Sequence, residues 1–327
     1  SIDEMCGRTD LLCLKKKQGF SRANLLDLSR ILAKTEKPSE ESSPEHVPGK
    51  KDWFDFHFEK TLDEKELLPV FEKAEKSSHE FQASIDIKCT DRTAGTILGS
   101  EIQRTFGSTL DEDSFRVHFS GGAGQSFGAF IPKGLTLTLT GDANDYLGKG
   151  LSGGKIVVKK APHFKGAAEE NIIAGNVALF GATSGLAFIN GMAGERFCVR
   201  NSGATAVVEG CGDHGLEYMT GGLAVILGRT GRNVAAGMSG GIAYILDEKH
   251  DLYKRLNHEL VTMYDIDDEV TTLKDKSDVE NLHWLIEKHV AETGSEKGKE
   301  ILADFENYIG KFKKIIPNDY LKVTKNC

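Results

Sequence analysis

The chain has 327 residues, 39% of them apolar, and carries a formal net charge of −8. This length allows two or three domains with a large core, and this apolar content excludes wholesale disorder. The sequence contains no run of about 18 apolar residues and no basic stripe, so we expect neither a membrane span nor a nucleic-acid partner. The six cysteines are scattered without a CxxC pair, which favours free thiols in a reducing compartment.

Residues 1–80 are predicted to form an N-terminal extension. Three prolines stand among serine, glutamate and lysine in residues 35–50, a composition typical of a linker. Farther along, residues 63–76 suit a surface helix, although Pro69 can interrupt it.

Residues 81–114 are predicted to lead into the next domain. An alternating run from Phe81 to Ile87 predicts a strand. We expect Asp91 to cap a helix that follows the strand, because aspartate accepts hydrogen bonds from the free N–H groups of a first turn. That helix is expected to end at Gly107.

A repeat organises residues 115–251. Of the 36 glycines in the chain, 27 lie between Gly121 and Gly241, and glycine clusters separate short β-rich runs. Segments of 19 to 21 residues begin at Phe115, Gly134, Lys155, Asn176, Glu195, His214 and Asn233.

Two columns of this repeat align without gaps in the last four segments. The small-residue column contains Ser184, Gly203, Gly222 and Gly241. The apolar column, four residues later, contains Phe188, Val207, Ile226 and Ile245. Each segment is too short to bury an apolar face alone, so we expect the segments to stack with the apolar column inside.

These features predict a mostly β protein, a right-handed parallel β-helix of about seven coils with flanking α-helices at both ends. Six spacings of about 4.8 Å make the stack roughly 30 Å tall. Glycine is expected at the corners because it adopts positive φ at little cost and leaves room for a neighbouring backbone. The glycines predicted to hold the repeat are Gly122, Gly141, Gly154, Gly175, Gly185, Gly194, Gly203, Gly222 and Gly241.

Residues 252–327 are predicted to form a helical cap. Ser277 or Asp278 starts one amphipathic helix, Gly294 ends it, and Ser295 starts another. We expect these helices to cover an end or a side of the β-helix, whose exposed edge would otherwise recruit partners.

The chain shows no pattern that predicts a catalytic, cofactor-binding or metal-binding residue. Two stretches match GxGxxG, the first of them beginning at Gly148, but a strand rather than a helix is predicted after it, so a dinucleotide site is not expected. HExxH and Walker A patterns are missing from the sequence, and Ser184 has no GxSxG pattern around it. The oxygen-rich group Asp142, Asn144 and Asp145 predicts either local Asx turns or a polar contact with another domain.

Several long motifs resemble one known family. They include Gly121-Gly-Ala-Gly-Gln-Ser-Phe-Gly-Ala-Phe130, Gly141-Asp-Ala-Asn-Asp-Tyr146 and Gly210-Cys-Gly-Asp-His-Gly215. The flanks agree through Gly7-Arg-Thr-Asp-Leu-Leu12 and Pro317-Asn-Asp-Tyr320. These motifs resemble the C-terminal glycine-rich GXGXG β-helix domain of the glutamate synthase large (alpha) subunit.

The resemblance implies a non-catalytic scaffold in an oxidoreductase that makes L-glutamate from glutamine and 2-oxoglutarate in nitrogen assimilation. In that family FMN and a 3Fe-4S cluster lie in other segments, so no cofactor is expected on this chain. The expected partners are the amidotransferase domain and the FMN-binding synthase domain, in the cytoplasm or in a plastid.

Two alternatives stay open. Glycine-rich β-helices of similar pattern occur in formylmethanofuran dehydrogenase, so the chain could be a free-standing scaffold subunit of another oxidoreductase complex. A polysaccharide-active β-helix enzyme would need clustered acidic and basic groups on one outer face, and paired carboxylates are not evident here.

Overall fold

The computed structural model describes most of the chain as two separate units, residues 1–56 and residues 57–327. The described residues are 2–5, 7–13, 19, 22–33, 57–77, 81–266 and 277–324. The linker predicted near residues 35–50 lies outside them.

The described part of the first unit consists of short helical turns. Helix α1 spans Ile2–Met5, and 3₁₀ turns span Thr9–Leu11 and Arg22–Leu25. Leu11 and Leu25 are each 70% exposed, so these turns do not enclose a core of their own.

The second unit is built mainly from β-strands. The strands are β1 (Phe81–Ile87), β2 (Phe115–Ala123), β3 (Leu135–Ala143), β4 (Ser152–Lys159), β5 (Ile172–Ala174), β6 (Ser184–Ala193), β7 (Ser202–Cys211), β8 (Thr220–Ile226), β9 (Gly240–Leu246), β10 (Val261–Asp265) and β11 (Phe312–Pro317). The α-helices are α2 (Leu68–Ser77), α3 (Thr96–Phe106), α4 (Asp278–Thr293), α5 (Glu296–Ala303), α6 (Phe305–Ile309) and α7 (Asn318–Thr324).

The strands stack as a parallel β-solenoid of about seven turns, which confirms the predicted fold class. Hydrogen-bonded neighbours follow the order β1-β2-β3-β4-β6-β7-β8-β9, and every pair in this series is parallel. β1 pairs with β2 in continuous register from Phe81 opposite Phe115, so the ladder begins one strand before the glycine-rich repeat.

Two apolar columns run through strands β6 to β9, one on each face. The inner column contains Ile189, Val208, Ile226 and Ile245. The outer column contains Phe188, Val207, Val225 and Tyr244, and it packs with the apolar side chains of α4 and α5. Because both faces are buried, these strands read as nearly continuous apolar runs.

The apolar column predicted from the sequence was wrong by one residue from β8 onward. It joined Phe188 and Val207, which belong to the outer face, with two residues of the inner face. The β7–β8 pairing shifts register between Ser202 and Thr205, an irregularity of the β-bulge type that a gap-free alignment cannot contain. A slip of one residue moves a side chain to the opposite face of the sheet.

The N-terminal end of the solenoid is closed by α3, and the cap of this helix differs from the predicted one. The buried Asp63 carboxylate accepts hydrogen bonds from the N–H groups of Gly95 (2.8 Å), Ile97 (2.8 Å) and Leu98 (3.0 Å). Asp91 instead accepts one from Lys88 N–H at 2.8 Å. Burial raises the pKa of Asp63, although these three N–H donors oppose the rise.

The C-terminal segment covers one side of the solenoid and also closes its last edge. The predicted helix boundaries are confirmed: Ser277 forms a capping box, Gly294 is left-handed at the end of α4, and Ser295 caps α5. The sequence did not predict β10 and β11. β11 pairs antiparallel with β9, and β10 pairs antiparallel with β11, so the parallel edge of β9 is covered.

Candidate interaction site

The corners of the solenoid share an unusual backbone pattern. In each of six coils, three residues at alternate positions adopt positive φ between +54° and +67°. The three columns are formed by Ser126, Tyr146, Val177, Arg196, His214 and Asn233, by Gly128, Gly148, Leu179, Cys198, Leu216 and Ala235, and by Phe130, Gly150, Gly181, Arg200, Tyr218 and Gly237. Hydrogen bonds to the neighbouring coil hold these corners, as between Phe130 N–H and Lys149 O at 2.8 Å.

The middle column of each corner points into the core. Leu179, Cys198 and Leu216 are fully buried there. Apolar burial therefore compensates for the strain of a left-handed backbone, which costs roughly 1–2 kcal/mol for a residue other than glycine.

The last column faces outward and contains both glycines and large side chains. Glycine occupies this strained position in three coils, whereas Phe130 (φ +61°), Arg200 (φ +54°) and Tyr218 (φ +55°) occupy it in the others. The Phe130 ring covers Gly150, where an added Cβ would lie 2.3 Å from the ring. The Tyr218 ring covers Gly237 in the same way, at 2.4 Å. Phe130 and Tyr218 nevertheless stay 54% and 50% exposed.

Cations and further rings extend this column into a surface that we name the aromatic corner. It consists of Phe130, Tyr146, Lys149, Phe180, Arg200 and Tyr218. Lys149 Nζ lies 5.9 Å from the Phe130 ring centroid and 5.6 Å from that of Tyr146, and Arg200 lies 6.0 Å from that of Tyr218. Tyr146 meets Phe180 edge to face at 6.4 Å.

The oxygen-rich group singled out in the sequence lies directly before Tyr146. Asn144 Oδ1 accepts from Asp145 N–H at 2.7 Å, and Asp145 Oδ1 accepts from Asn176 N–H of the next coil at 2.8 Å. Asn144 therefore makes a local turn contact, and Asp145 bonds one coil to the next. Asp142 is exposed at the end of β3, next to the aromatic corner in sequence.

The glycines predicted to hold the repeat lie in tight places, with one exception. At Gly141 an added Cβ would approach Gly121 O to 1.8 Å, and at Gly203 it would approach Thr183 O to 2.1 Å. Gly122 is the exception, because the nearest atom to an added Cβ is 3.6 Å away. Backbone of the adjacent coil is the neighbour at Gly175, Gly185 and Gly222, whereas side chains of the adjacent coils are the closest neighbours at Gly154 and Gly194.

A buried polar centre joins the solenoid to its helical cover. Glu209 Oε1 accepts a hydrogen bond from Asn190 Nδ2 at 2.7 Å and another from Ser295 Oγ, and it lies 3.3 Å from His289 Nε2. Burial alone would raise the pKa of Glu209, but these partners outweigh it and hold the pKa below its ordinary value. Glu209 and His289 are 80 residues apart, so no local sequence signal links them.

A second anchor lies between β4 and α4. Lys155 Nζ, on a side chain only 5% exposed, contacts Asp113 (2.8 Å), Glu292 (2.8 Å) and Glu112 (3.0 Å). Burial alone would lower the pKa of Lys155, but the three carboxylates raise it well above its ordinary value. A buried cation with three acidic partners fixes α4 against the strands.

Within the described ranges, His, Cys, Asp and Glu side chains form no group of three or more suited to a metal ion. Burial raises the pKa of Cys198, and it raises that of Cys211 to about 12, so burial disfavours the thiolate form of both side chains. The GxGxxG stretch at Gly148 leads into β4, and the stretch at Gly210 leads into β8, so neither starts a helix. Among the helices that the structure describes, none is long and apolar enough to cross a membrane.

Fold and corners together define a glycine-cornered β-solenoid with an outward aromatic and cationic surface. The sequence model described as the GXGXG motif matches residues 63–318, and the chain belongs to this family. The match spans the parallel ladder, its helical cover and both terminal strands.

Known relatives are glutamate synthases, which confirms the resemblance found in the motifs. The chain is 47% identical to the NADPH glutamate synthase large chain of Bacillus subtilis over 323 residues, which are 98% of this chain and 20% of that protein. It is 44% identical to the NADH glutamate synthase of Schizosaccharomyces pombe, over 99% of this chain and 15% of that protein. Ferredoxin-dependent glutamate synthase 2 of Synechocystis is 42% identical over 97% of this chain. The chain thus spans about a fifth or less of the length of these relatives.

Proposed function

We propose that the chain is a non-catalytic scaffold domain of a glutamate synthase. The observation that carries this proposal is the match of nearly the whole chain to one segment of glutamate synthases with different electron donors. The NADPH, NADH and ferredoxin forms all contain this segment. Its role is therefore one that these enzymes share, rather than the binding of a particular electron donor.

The physical form of the chain supports a mechanical role. Each coil is bonded to the next by a parallel ladder, both strand faces are buried, and Lys155 and Glu209 fasten the helical cover. Such a stack is stiff along its axis and holds attached groups at a fixed separation. The partners that fit this role are an amidotransferase domain and an FMN-binding synthase domain.

The chemistry then belongs to the rest of the enzyme. In this proposal the remainder binds FMN and a 3Fe-4S cluster, hydrolyses glutamine and reduces the product of ammonia with 2-oxoglutarate. The enzyme works in the cytoplasm or in a plastid.

Two measurements test the scaffold. The purified chain should show a β-rich circular dichroism spectrum and cooperative melting, yet no flavin absorbance and no glutamine-dependent glutamate formation. Stoichiometric FMN on the purified chain would contradict the proposal.

The second measurement uses the full-length enzyme with one coil removed, residues 195–212. This deletion joins Gly194 to Asp213 in the register of the stack, removes Arg200 and Glu209 with the coil, and shortens the stack by about 4.8 Å. We expect separate glutaminase and ammonia-dependent activities to persist while glutamine-dependent synthesis falls. Equal loss of all three activities, with the enzyme still folded, would contradict a spacing role.

A further inference from the structure

The outward side chains of the aromatic corner occupy backbone that favours glycine. Phe130, Arg200 and Tyr218 are left-handed, and glycine stands at the same position in the other three coils. A residue other than glycine loses stability in this conformation, and at these three positions the side chain is largely exposed rather than buried. Strain at exposed bulky residues indicates a role outside the fold of the chain itself.

The same surface has the chemistry of an interface centre. Tyrosine and arginine dominate the residues whose truncation most weakens protein interfaces, and rings with exposed faces supply contact area at low entropic cost. From Phe130 to Tyr218 the surface crosses four coil spacings, roughly 19 Å along the axis. Gly181 lies between them with no atom within 4 Å of an added Cβ, which leaves a notch between the rings.

The charges of the aromatic corner are unbalanced. Within the described part of the chain, Lys149 and Arg200 contact rings and make no ion pair. Elsewhere on the corners arginine is paired, as Arg196 is with Glu217 (2.7 Å) and Arg232 is with Asp213 (3.3 Å). A partner surface that fits here carries carboxylates opposite the two cations and an apolar or aromatic side chain for the notch.

We propose that the aromatic corner is the surface on which the remainder of the glutamate synthase polypeptide docks. This inference rests on the proposed function. Its physical basis is the strained exposed rings, the two cations without carboxylate partners, and the four-fifths of the relatives' length that lies outside this chain.

Hydroxyl-radical footprinting with mass spectrometry tests the docking surface. The purified chain and the full-length enzyme are labelled in parallel, and oxidation is compared at Phe130, Tyr146 and Tyr218. We expect labelling in the full-length enzyme to fall at least about fivefold at these three rings, since a docked interface core excludes water. Tyr253, which is 52% exposed outside the aromatic corner, is the internal control and should keep its labelling.

A variant of the full-length enzyme gives the second arm. Arg200→Glu combined with Tyr218→Gly removes a cation and a ring and places glycine where other coils already have it. Labelling of Phe130 and Tyr146 should then return to the level of the purified chain. Ser126→Gly is the matched control, because Ser126 has the same strained backbone (φ +61°) in the first column, and it should leave the protection intact.

The outcomes separate this inference from the scaffold proposal. Equal labelling of the three rings in both proteins, with protection at Tyr253 or Trp284 instead, would overturn the docking surface and leave the scaffold role standing. An absence of protection at every labelled residue of the chain would overturn both. Protection that persists in the double variant would also overturn the docking surface.

Discussion

Single glycines in this solenoid work by leaving space for the backbone of an adjacent coil. Gly222 has φ +83°, and an added Cβ would lie 2.4 Å from Ala204 O. That neighbour is main chain of a stacked strand, so it cannot rotate away as a side chain would. Gly222 therefore combines two requirements, positive φ and close approach, that no other residue type meets.

We expect Gly222→Val to destabilise the chain by several kcal/mol, because the clash and the disallowed backbone act together. Thermal denaturation followed by circular dichroism measures the loss. Gly310→Ala is the matched control, since Gly310 is right-handed helical and has nothing within 4 Å of an added Cβ. A melting temperature of Gly222→Val equal to that of the unchanged chain would contradict the packed column.

Glu209 gives a pH prediction. Its pKa in the folded chain lies below the ordinary value of 4.5. A lowered carboxyl pKa adds stability above the unfolded-state value, and this stability is lost as the pH falls through the folded-state value. We expect the melting temperature to fall between pH 5 and about pH 3 more steeply in the unchanged chain than in Glu209→Gln.

The comparison needs a second carboxylate variant. Glu209→Gln should also cost about 1–3 kcal/mol at pH 7, because it weakens a buried hydrogen-bonded centre. Glu306→Gln, on an exposed position of α6, should leave both the stability and its pH dependence unchanged. Parallel pH profiles for Glu209→Gln and the unchanged chain would contradict the prediction.

At the residue scale, sequence reasoning could anticipate tight glycines but not strained large residues. Glycine is the residue type that adopts positive φ most readily, so a column of glycines in the sequence already indicates tight corners. Leu179 or Tyr218 with positive φ gives no such sign, because tertiary packing rather than residue type sets that backbone. The signal that could have found the aromatic corner is the column in which glycine occupies three positions and Phe130, Arg200 and Tyr218 occupy the other three. Uneven coil lengths hide that column in a simple alignment.

At the scale of elements, α4 is held to the strands by a cation rather than by apolar contact alone. Lys155 brings together Glu112, Asp113 and Glu292 from a loop and from the helix. Without the cation, three carboxylates would face one another at a poorly solvated site, and repulsion would push α4 away.

We expect Lys155→Met to destabilise the chain by about 2 kcal/mol, a value reduced from the usual cost of breaking a buried pair because Glu112 is half exposed. Chemical denaturation monitored by fluorescence measures the change, since Trp284 lies on α4. Lys299→Met is the control: its pair with Glu296 is exposed and should contribute less than about 0.5 kcal/mol. Equal stabilities of the two variants would contradict the anchoring role.

The elements that the sequence predicted well are those with local signals. Ser277, Gly294 and Ser295 mark helix ends in the sequence, and the structure places helix ends there. The elements that it missed depend on distant residues. Asp63 caps α3 from 32 residues away, and β11 forms a strand because it pairs with the edge of β9. A local sequence pattern does not indicate either of these long-range contacts.

For the whole molecule, the unpaired edge of the parallel sheet is the main risk of association with other chains. β9 is buried along its full length, and β11 supplies the antiparallel partner that ends the ladder. An uncovered β9 would present free N–H and C=O groups beside apolar side chains, which is a template for pairing with another chain. β11 also brings Lys314, fully buried, to the Asp278 carboxylate that Tyr244 bonds at 2.6 Å.

We expect a chain ending at Gly310 to self-associate, since this truncation removes β11 and α7 and leaves Asp278 without its cation. Size-exclusion chromatography with light scattering should show a mass above that of the unchanged chain, and the excess should grow with concentration. A chain ending at Thr324 keeps every strand that the structure describes and should match the unchanged chain. If the chain ending at Gly310 were to keep both the mass and the melting temperature of the unchanged chain, then β11 would not be the element that protects this edge. The edge would then have to be protected by the helical cover alone, through α4 and α5 on the outer face of β6 to β9.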